Sequence, residues 1–298
     1  MATQQLQLVC DSSTLANFKQ WAQAISAWFA ACGWTQSGDT GQVNWSSIGT
    51  PPGSAAYVYE IWKPGDGLAS YYLKVEYGNF SGTNCPTLRI TVSTSTNSAG
   101  VATGYILGPI TVNGATYTAP GASTQYECDF SGDAGRMGIM MWRNGVNTCQ
   151  QFFAVERSLS SSGTPTSTYV SLWVCGDAAS NLRCSCQGSL VFGVGVPPYT
   201  QAANSAGGWM VRVQSLSGAT TAFNGQVPFD TCAPVVGYYD YPCTVCGAAA
   251  GVDVVEGVPF SVTLYGATRT YMPSKLGYFC DVNPYNLGSP SALCMRYD

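Results

Sequence analysis

Histidine is missing from all 298 residues of the chain, and charged side chains make up only 9% of it. The missing imidazole removes the most common general base, the usual partner of a nucleophilic serine or cysteine, and the most common nitrogen ligand of zinc. Basic residues are scattered singly and the net charge is −4, whereas nucleic-acid binding needs clustered lysine and arginine. Composition therefore argues against histidine-based catalysis and against a nucleic-acid partner.

Long apolar runs are lacking as well. No stretch reaches the roughly 18 consecutive apolar residues of a membrane-spanning helix, and residues 1–13 lack the basic region and apolar core of a secretory signal. We therefore expect no membrane partner and synthesis in a cytoplasm. Thirteen cysteines are unusual for such a protein, because cytosolic proteins seldom hold disulfides. They indicate metal binding, buried thiols, or oxidation after release from the cell.

The residues that are abundant favour β-structure. Apolar residues make up 46% of the chain, and it contains 34 glycines, 18 tyrosines and 8 tryptophans. Together with long Ser/Thr/Gly stretches, this composition is typical of short strands joined by turns. A surface so poor in charge suits a protein that is covered by its neighbours.

One segment predicts an amphipathic helix, from about Thr14 to Cys32. Its apolar residues recur at spacings of three and four: Leu15, Phe18, Ala22, Ile25, Phe29 and Cys32. Ser12 or Ser13 is the expected N-terminal cap, and Gly33 follows as a stop. We expect this helix to pack its apolar stripe onto the N-terminal sheet.

After Gly33 the apolar period changes to two, which predicts antiparallel sheets in a sandwich-like arrangement. The strand candidates are Tyr57–Trp62, Tyr71–Tyr77, Leu88–Val92, Arg136–Trp142, Phe152–Arg157, Tyr169–Cys175, Val191–Val196, Trp209–Gln214 and Phe260–Tyr265. A Ser/Gly/Thr-rich segment between Glu156 and Tyr169 predicts a long hairpin tip. The Pro/Gly/Ser/Asn-rich stretch 195–208 predicts a boundary between two domains, residues 1–195 with the helix and the hairpin, and a cysteine-rich β domain at 196–298.

The carboxylates offer a possible enzymatic site, since paired Asp and Glu residues can cleave glycosides. Asp129 and Asp133 flank a glycine-rich turn, and Glu60, Glu76 and Glu156 lie within predicted strands. Nothing in their spacing pairs two of them. We therefore expect solvent-facing strand positions and turn-capping aspartates, and we assign no catalytic residue.

Two cysteine pairs are the weak metal candidates, namely Cys184 with Cys186 and Cys243 with Cys246. Four thiolates in a tetrahedron would bind zinc, but a zinc ribbon repeats Cys-x-x-Cys twice, and the first pair has a single intervening residue. Disulfides and reduced core thiols are the alternatives. We expect no resident metal or cofactor.

Aromatic residues near turns and strand ends could serve as sugar-stacking platforms or as subunit contacts. They are Trp45, Tyr57, Tyr59, Trp62, Tyr238, Tyr239 and Tyr241. Their dispersal along the chain favours subunit contact over a single sugar cleft. The candidate interface residues are Tyr238, Tyr239 and Tyr241, together with the hairpin tip.

Three parts of the chain resemble virion structural proteins of tailed bacteriophages. The first is Gly33–Trp45 with the later Tyr72–Gly78, the second is Phe152–Arg157 with the Ser/Gly/Thr/Pro tip that follows it, and the third is Tyr265–Pro273. The resemblance implies a neck, tail or capsid-decorating component, located in the virion, without catalytic residues. The many cysteines depart from that family.

The sequence therefore predicts a non-enzymatic structural protein that acts through contacts with other virion proteins and with copies of itself. A receptor- or glycan-binding head, with a host glycan as partner, is the first alternative. A carboxylate-based polysaccharide hydrolase is the second.

Overall fold

A computed structural model describes residues 2–53, 56–79, 84–112, 125–143, 146–176, 185–193, 196–201, 229–231, 235–236, 239–240, 244, 246–250, 257–273 and 291–298. The elements up to the central hairpin are β1 (Ala2–Val9), α1 (Leu15–Ala31), β2 (Thr35–Gln36), β3 (Val58–Lys63), β4 (Tyr72–Asn79), β5 (Pro86–Thr96), β6 (Ala102–Val112), β7 (Gln125–Asp133), β8 (Arg136–Arg143), β9 (Val146–Leu159) and β10 (Pro165–Gly176). The remaining strands are β11 (Ser185–Gly193), β12 (Val196–Gln201), β13 (Phe229–Thr231), β14 (Val235–Val236), β15 (Tyr239–Asp240), β16 (Cys246–Ala250), β17 (Phe260–Leu264), β18 (Ala267–Pro273) and β19 (Ser291–Arg296).

The strands form three larger sheets and one two-stranded ribbon, and every pairing between described strands is antiparallel. Sheet I has the order β1-β7-β8-β9-β10-β11-β12, sheet II β2-β3-β4-β5-β6, and sheet III β13-β16-β19-β18-β17. The predicted mainly β, antiparallel fold with one helix is confirmed.

Helix α1 begins and ends where capping chemistry places its termini. The side chain of Thr14 accepts a hydrogen bond from the Asn17 amide at 3.2 Å, so the expected Ser12 or Ser13 cap is wrong by one or two positions. Ser12 is buried elsewhere, and its hydroxyl donates to the Asn84 carbonyl at 2.8 Å. Gly33 has a φ of +85°, a conformation that glycine adopts without strain, and it stops the helix as predicted.

The predicted apolar stripe of α1 is buried except at Leu15, which is half-buried, and it packs between sheets I and II. Phe29 stacks on Trp62 of β3 with ring centroids 5.3 Å apart and on Phe153 of β9 at 6.3 Å. Trp28 contacts Phe130 of β7. The helix therefore packs against two sheets, although the sequence predicted packing against one. The main core lies around the helix.

Two sequence-based boundaries need correction, and one predicted strand is untested. The hairpin between β9 and β10 has a short tip, residues 160–164, because the strands pair up to Leu159 and Pro165. The predicted strand Val191–Val196 instead covers the end of β11 and the start of β12. The predicted strand Trp209–Gln214 lies outside the described residues.

Sheet III lies against the outer face of sheet I. Met295 of β19 approaches β8 so closely that a side chain on Gly138 would collide with its Sδ atom. The predicted domain boundary at residues 195/196 stays a prediction, although β12, which begins at Val196, pairs with β11 of sheet I.

Candidate interaction surface

Glu60 is the most enclosed carboxylate in sheet II, contrary to its expected solvent-facing position. It accepts hydrogen bonds from Ser26 Oγ (2.8 Å), Trp45 Nε1 (2.9 Å), Trp62 Nε1 (3.3 Å) and Tyr77 OH (2.9 Å). Burial, together with this carboxylate, raises the pKa of Tyr77 well above 10, so the phenol keeps the proton that it donates. Four donors from four segments fix Glu60 as a structural connection between the helix and sheet II.

Glu156 of β9 is buried too, because sheet III covers the face of sheet I on which it lies. Its two carboxylate oxygens accept hydrogen bonds from the Thr244 amide (2.5 Å) and the Thr244 hydroxyl (2.9 Å). Arg296 of β19 lies 3.4 Å away, and Tyr271 OH donates to the Thr244 carbonyl at 2.7 Å. Glu156 therefore joins sheet I to the C-terminal part of the chain.

Two arginines extend this network. Arg136 donates to the Arg296 carbonyl at 3.3 Å and to the Asp298 main-chain oxygen at 2.6 Å. Burial, followed by the neighbouring Arg296, lowers the pKa of Arg136. Burial alone would lower the pKa of Arg296, but Glu156 and Asp298 raise it above its ordinary value. The network is a cluster of charged side chains between sheet I and the C-terminal part of the chain. Its carboxylates, those of Glu156 and Asp298, accept hydrogen bonds from Thr244 and Arg296.

The other candidate carboxylates are also engaged. Glu76 forms a 2.8 Å ion pair with Arg89 and is nearly buried, which corrects its expected exposure. Asp129 lies inside β7, where Gln5 of β1 donates to it at 2.9 Å, and does not flank the turn. Asp133 does cap the turn, as expected, by accepting from the Gly135 amide.

The metal candidates are only partly described, so the predicted pairs stay untested. Cys186 lies on β11 of sheet I and Cys246 on β16 of sheet III, while Cys184 and Cys243 lie outside the described residues. No group of three or more cysteine, aspartate or glutamate side chains in the described part of the chain could hold a metal ion.

Several cysteines are enclosed in the core as thiols, among them Cys10, Cys32 and Cys128. Burial raises the pKa of Cys32 to about 11, and burial followed by a hydrogen bond with Cys10 raises that of Cys128. Thiolates are the reactive form, so the raised pKa values lower the reactivity of Cys32 and Cys128 in the folded chain. Cys85 is disulfide-bonded, and its partner is not among the side chains that the structure describes.

We expect most of the other cysteines to be oxidised in mature material, with no zinc bound. Intact mass should rise by about two daltons per bridge on reduction. Cys10, Cys32 and Cys128 should resist alkylation in native buffer and react fully in denaturant. Stoichiometric zinc by elemental analysis, with every remaining thiol open to alkylation, would contradict this prediction.

The aromatic candidates divide into inward and outward residues. Trp45 and Trp62 point inward and donate to Glu60. Tyr57 and Tyr59 lie half-buried on the outer face of sheet II, where Arg89 covers the Tyr57 ring at 3.8 Å and Lys74 covers the Tyr59 ring at 4.0 Å. Burial raises the pKa of both phenols. A ring already stacked by a cation offers less open surface to a sugar.

The predicted interface residues are only partly described. Tyr239 lies on β15 and pairs with Val236 of β14, whereas Tyr238 and Tyr241 lie outside the described residues. The hairpin tip that was proposed beside them is tied to itself by hydroxyl contacts such as Ser160 with Ser162 at 2.8 Å. It also lies close to the turn between β17 and β18, where a side chain on Gly163 would meet Tyr265.

An exposed apolar feature lies elsewhere, at the end of the β5–β6 hairpin. Strand β4 begins opposite Ser93, so residues 94–106 extend past it as a two-stranded arm, the β5–β6 arm. It carries three of the four large apolar side chains that are exposed in the described part of the chain. They are Val101 (54% exposed), Tyr105 (37%) and Ile106 (42%).

The β5–β6 arm is held rigidly from its other side. Asp39 accepts hydrogen bonds from Thr96 Oγ1 at 3.0 Å and from the Gly100 amide at 3.4 Å. Burial opposes ionisation of Asp39, but hydrogen bonds from Ser37, Thr96 and Gly100 outweigh it and lower the pKa. Lys74 Nζ donates to the Gly100 carbonyl at 3.0 Å. The exposed side chains therefore stand on a fixed support.

The chain matches no protein-family model and no curated protein sequence. Within the described residues, no helix has the length and apolar character that are needed to cross a bilayer.

Proposed function

We propose that this chain is a non-enzymatic structural component of a bacteriophage particle, in the neck, the tail or the capsid-decorating shell, and that it acts through subunit contacts. The observation that carries the proposal is the β5–β6 arm, where apolar side chains are exposed on an uncharged hairpin with a rigid support. Clustered exposed apolar side chains mark interaction sites. The resemblance of Gly33–Trp45 and the other two parts to virion proteins supplies the kind of assembly.

The hydrogen bonds that the buried carboxylates accept support the proposal that the chain is not an enzyme. A general acid or base must reach the proton that it transfers. Both oxygens of Glu60 and of Glu156 accept hydrogen bonds from side chains or backbone of the chain itself. A structural role explains these contacts without a substrate.

Particle association tests the proposal. We expect the chain to sediment with particles from a lysate in a density gradient, at a fixed ratio to the major capsid protein and through a high-salt wash. A soluble host protein of similar mass serves as the control and should stay at the top of the gradient. Absence of the chain from purified particles would contradict the proposal.

The two alternatives have distinct readouts. Specific signals on a glycan array would favour the receptor-binding head. Release of reducing sugar that disappears in Glu60→Gln or Glu156→Gln would favour the hydrolase, provided that circular dichroism shows each variant to be folded.

A further inference from the structure

We infer that the β5–β6 arm is a homotypic contact, through which two copies of this chain meet arm to arm about a two-fold axis. The inference rests on the proposed function, because it names the partner with which that surface acts. Its basis is the combination of shape, rigidity and charge on residues 94–106.

The shape of the arm leaves neighbouring apolar side chains exposed. Successive side chains of a regular strand point to opposite faces, yet Tyr105 and Ile106 are both exposed. The pairing of β5 with β6 shifts between Ser93 and Ser95, and the Tyr105 amide donates to Thr94 Oγ1 at 3.1 Å. Among the described strands only β5 and β6 pair within the arm, so the side that faces away from Asp39 and Lys74 can receive a neighbour.

The arm also avoids the loss of conformational entropy that weakens binding through flexible loops. Asn97 Oδ1 accepts from the amides of Ala99 (3.0 Å) and Val101 (3.1 Å), and the Thr40 amide donates to the Ser98 carbonyl at 2.8 Å. A turn held in this way is already in its bound conformation, and preorganisation of that kind favours association.

The absence of charged side chains on the arm favours a second copy of this chain as its partner. No aspartate, glutamate, lysine or arginine lies between Arg89 and Glu127, so two arms meet without like-charge repulsion. The chain as a whole carries −4, which disfavours approach of two copies through charged surfaces. Natural sheet edges are usually protected by charged residues against pairing with another chain. From residue 90 to its end at Val112 this hairpin carries no charged side chain.

The fourth large exposed apolar side chain in the described part of the chain lies at the same end of sheet II. Leu68 belongs to the connection between β3 and β4, and that connection leads into the start of β4, where the arm begins. A typical stable interface buries about 1,600 Å² in total, which is more than two arm tips supply. The arms therefore act as the central anchor of a contact that spreads over this end of the sheet.

Analytical ultracentrifugation of the purified chain over a concentration series tests the inference. We expect the wild-type chain to form a dimer, and we expect Ile106→Asp and Val101→Asp each to raise the dimer Kd by about tenfold or more, since they bury a charge at an interface centre. Ala27→Asp, on the exposed face of α1, is the matched control and should dimerise like wild type. Unchanged circular dichroism and thermal midpoints would show that all three variants fold.

A photoreactive amino acid in place of Val101 gives a readout that does not depend on destabilising the contact. Crosslinked peptides should join the tip of one copy to the tip of the other. A wild-type monomer at all concentrations, dimers that tolerate both arm variants, or crosslinks only to a different surface would each overturn the inference.

Particle sedimentation is measured separately from dimerisation. A chain that is found in particles but never dimerises through the arm therefore refutes this inference alone. A dimer absent from particles refutes the proposed function alone.

Discussion

Replacing Ile25 with aspartate should remove most of the stability of the fold. Ile25 lies at the centre of the apolar stripe of α1 and has no solvent exposure. The variant loses about 2 kcal/mol of apolar burial and places a carboxylate among apolar groups, so the total cost should reach about 4 kcal/mol or more. Urea unfolding followed by tryptophan fluorescence would measure the change, since α1 contains Trp21 and Trp28.

Ala27→Asp again provides the matched control, because it makes the same kind of change two residues away on the exposed face of α1. Its cost should be limited to helix propensity, roughly 0.5–1 kcal/mol. Equal unfolding midpoints for the Ile25 and Ala27 variants would show that α1 is not held between sheets I and II.

Replacing Glu156 with leucine should separate the C-terminal layer from sheet I. The change leaves the buried guanidinium of Arg296 without one of its two carboxylates and the Thr244 amide without its acceptor. Removing one member of a buried ion pair costs roughly 3–5 kcal/mol, and the retained Asp298 places this case near the lower limit. Hydrogen exchange should show faster exchange at the amides of β18 and β19 than at those of β4 and β5.

Two further variants make this result specific. Glu156→Gln keeps an acceptor for Thr244 and should lose only about 1–2 kcal/mol. Glu76→Gln changes a pair whose arginine is one-third exposed, so its effect should stay within about 1 kcal/mol. A Glu156→Leu chain with wild-type stability and uniform exchange would show that the buried network does not hold the layers together.

The sequence predicted the helix and most central strands because those patterns depend on near neighbours. Spacings of three and four decide which side of α1 is buried, and Leu73, Val75 and Tyr77 share the inward face of β4 as their alternation requires. The capping residue was missed because three hydroxyl side chains in a row compete for that position, and tertiary contacts engage Ser12.

The carboxylates were placed wrongly for two different reasons. In β3 both alternating sets contain apolar side chains, so local alternation does not decide that Glu60 faces inward with Val58 and Trp62. Glu156 lies on the face of sheet I that points away from the main core, as expected, but a third sheet covers that face. The pattern of residues 152–157 depends on near neighbours alone, so it cannot indicate that sheet III covers this face.

The β5–β6 arm was also absent from the predicted strands. Exposure of Tyr105 and Ile106 depends on where β4 begins and on the shifted pairing between β5 and β6. Both features are properties of neighbouring strands and are invisible in residues 102–112 alone. The uncharged run from residue 90 to residue 126 was the available signal.

The position of β1 in sheet I also governs the order in which the chain can fold. β1 pairs only with β7 among the described strands, from Ala2 opposite Gly132 to Val9 opposite Gln125. At a translation rate of roughly 5–20 residues per second, β1 waits on the order of ten seconds for its partner. During that interval β7 and β9 have not been synthesised. They therefore cannot cover the apolar stripe of α1, which follows β1 in the chain. A translation stop before residue 125 would therefore leave the side of α1 that packs on sheet I uncovered.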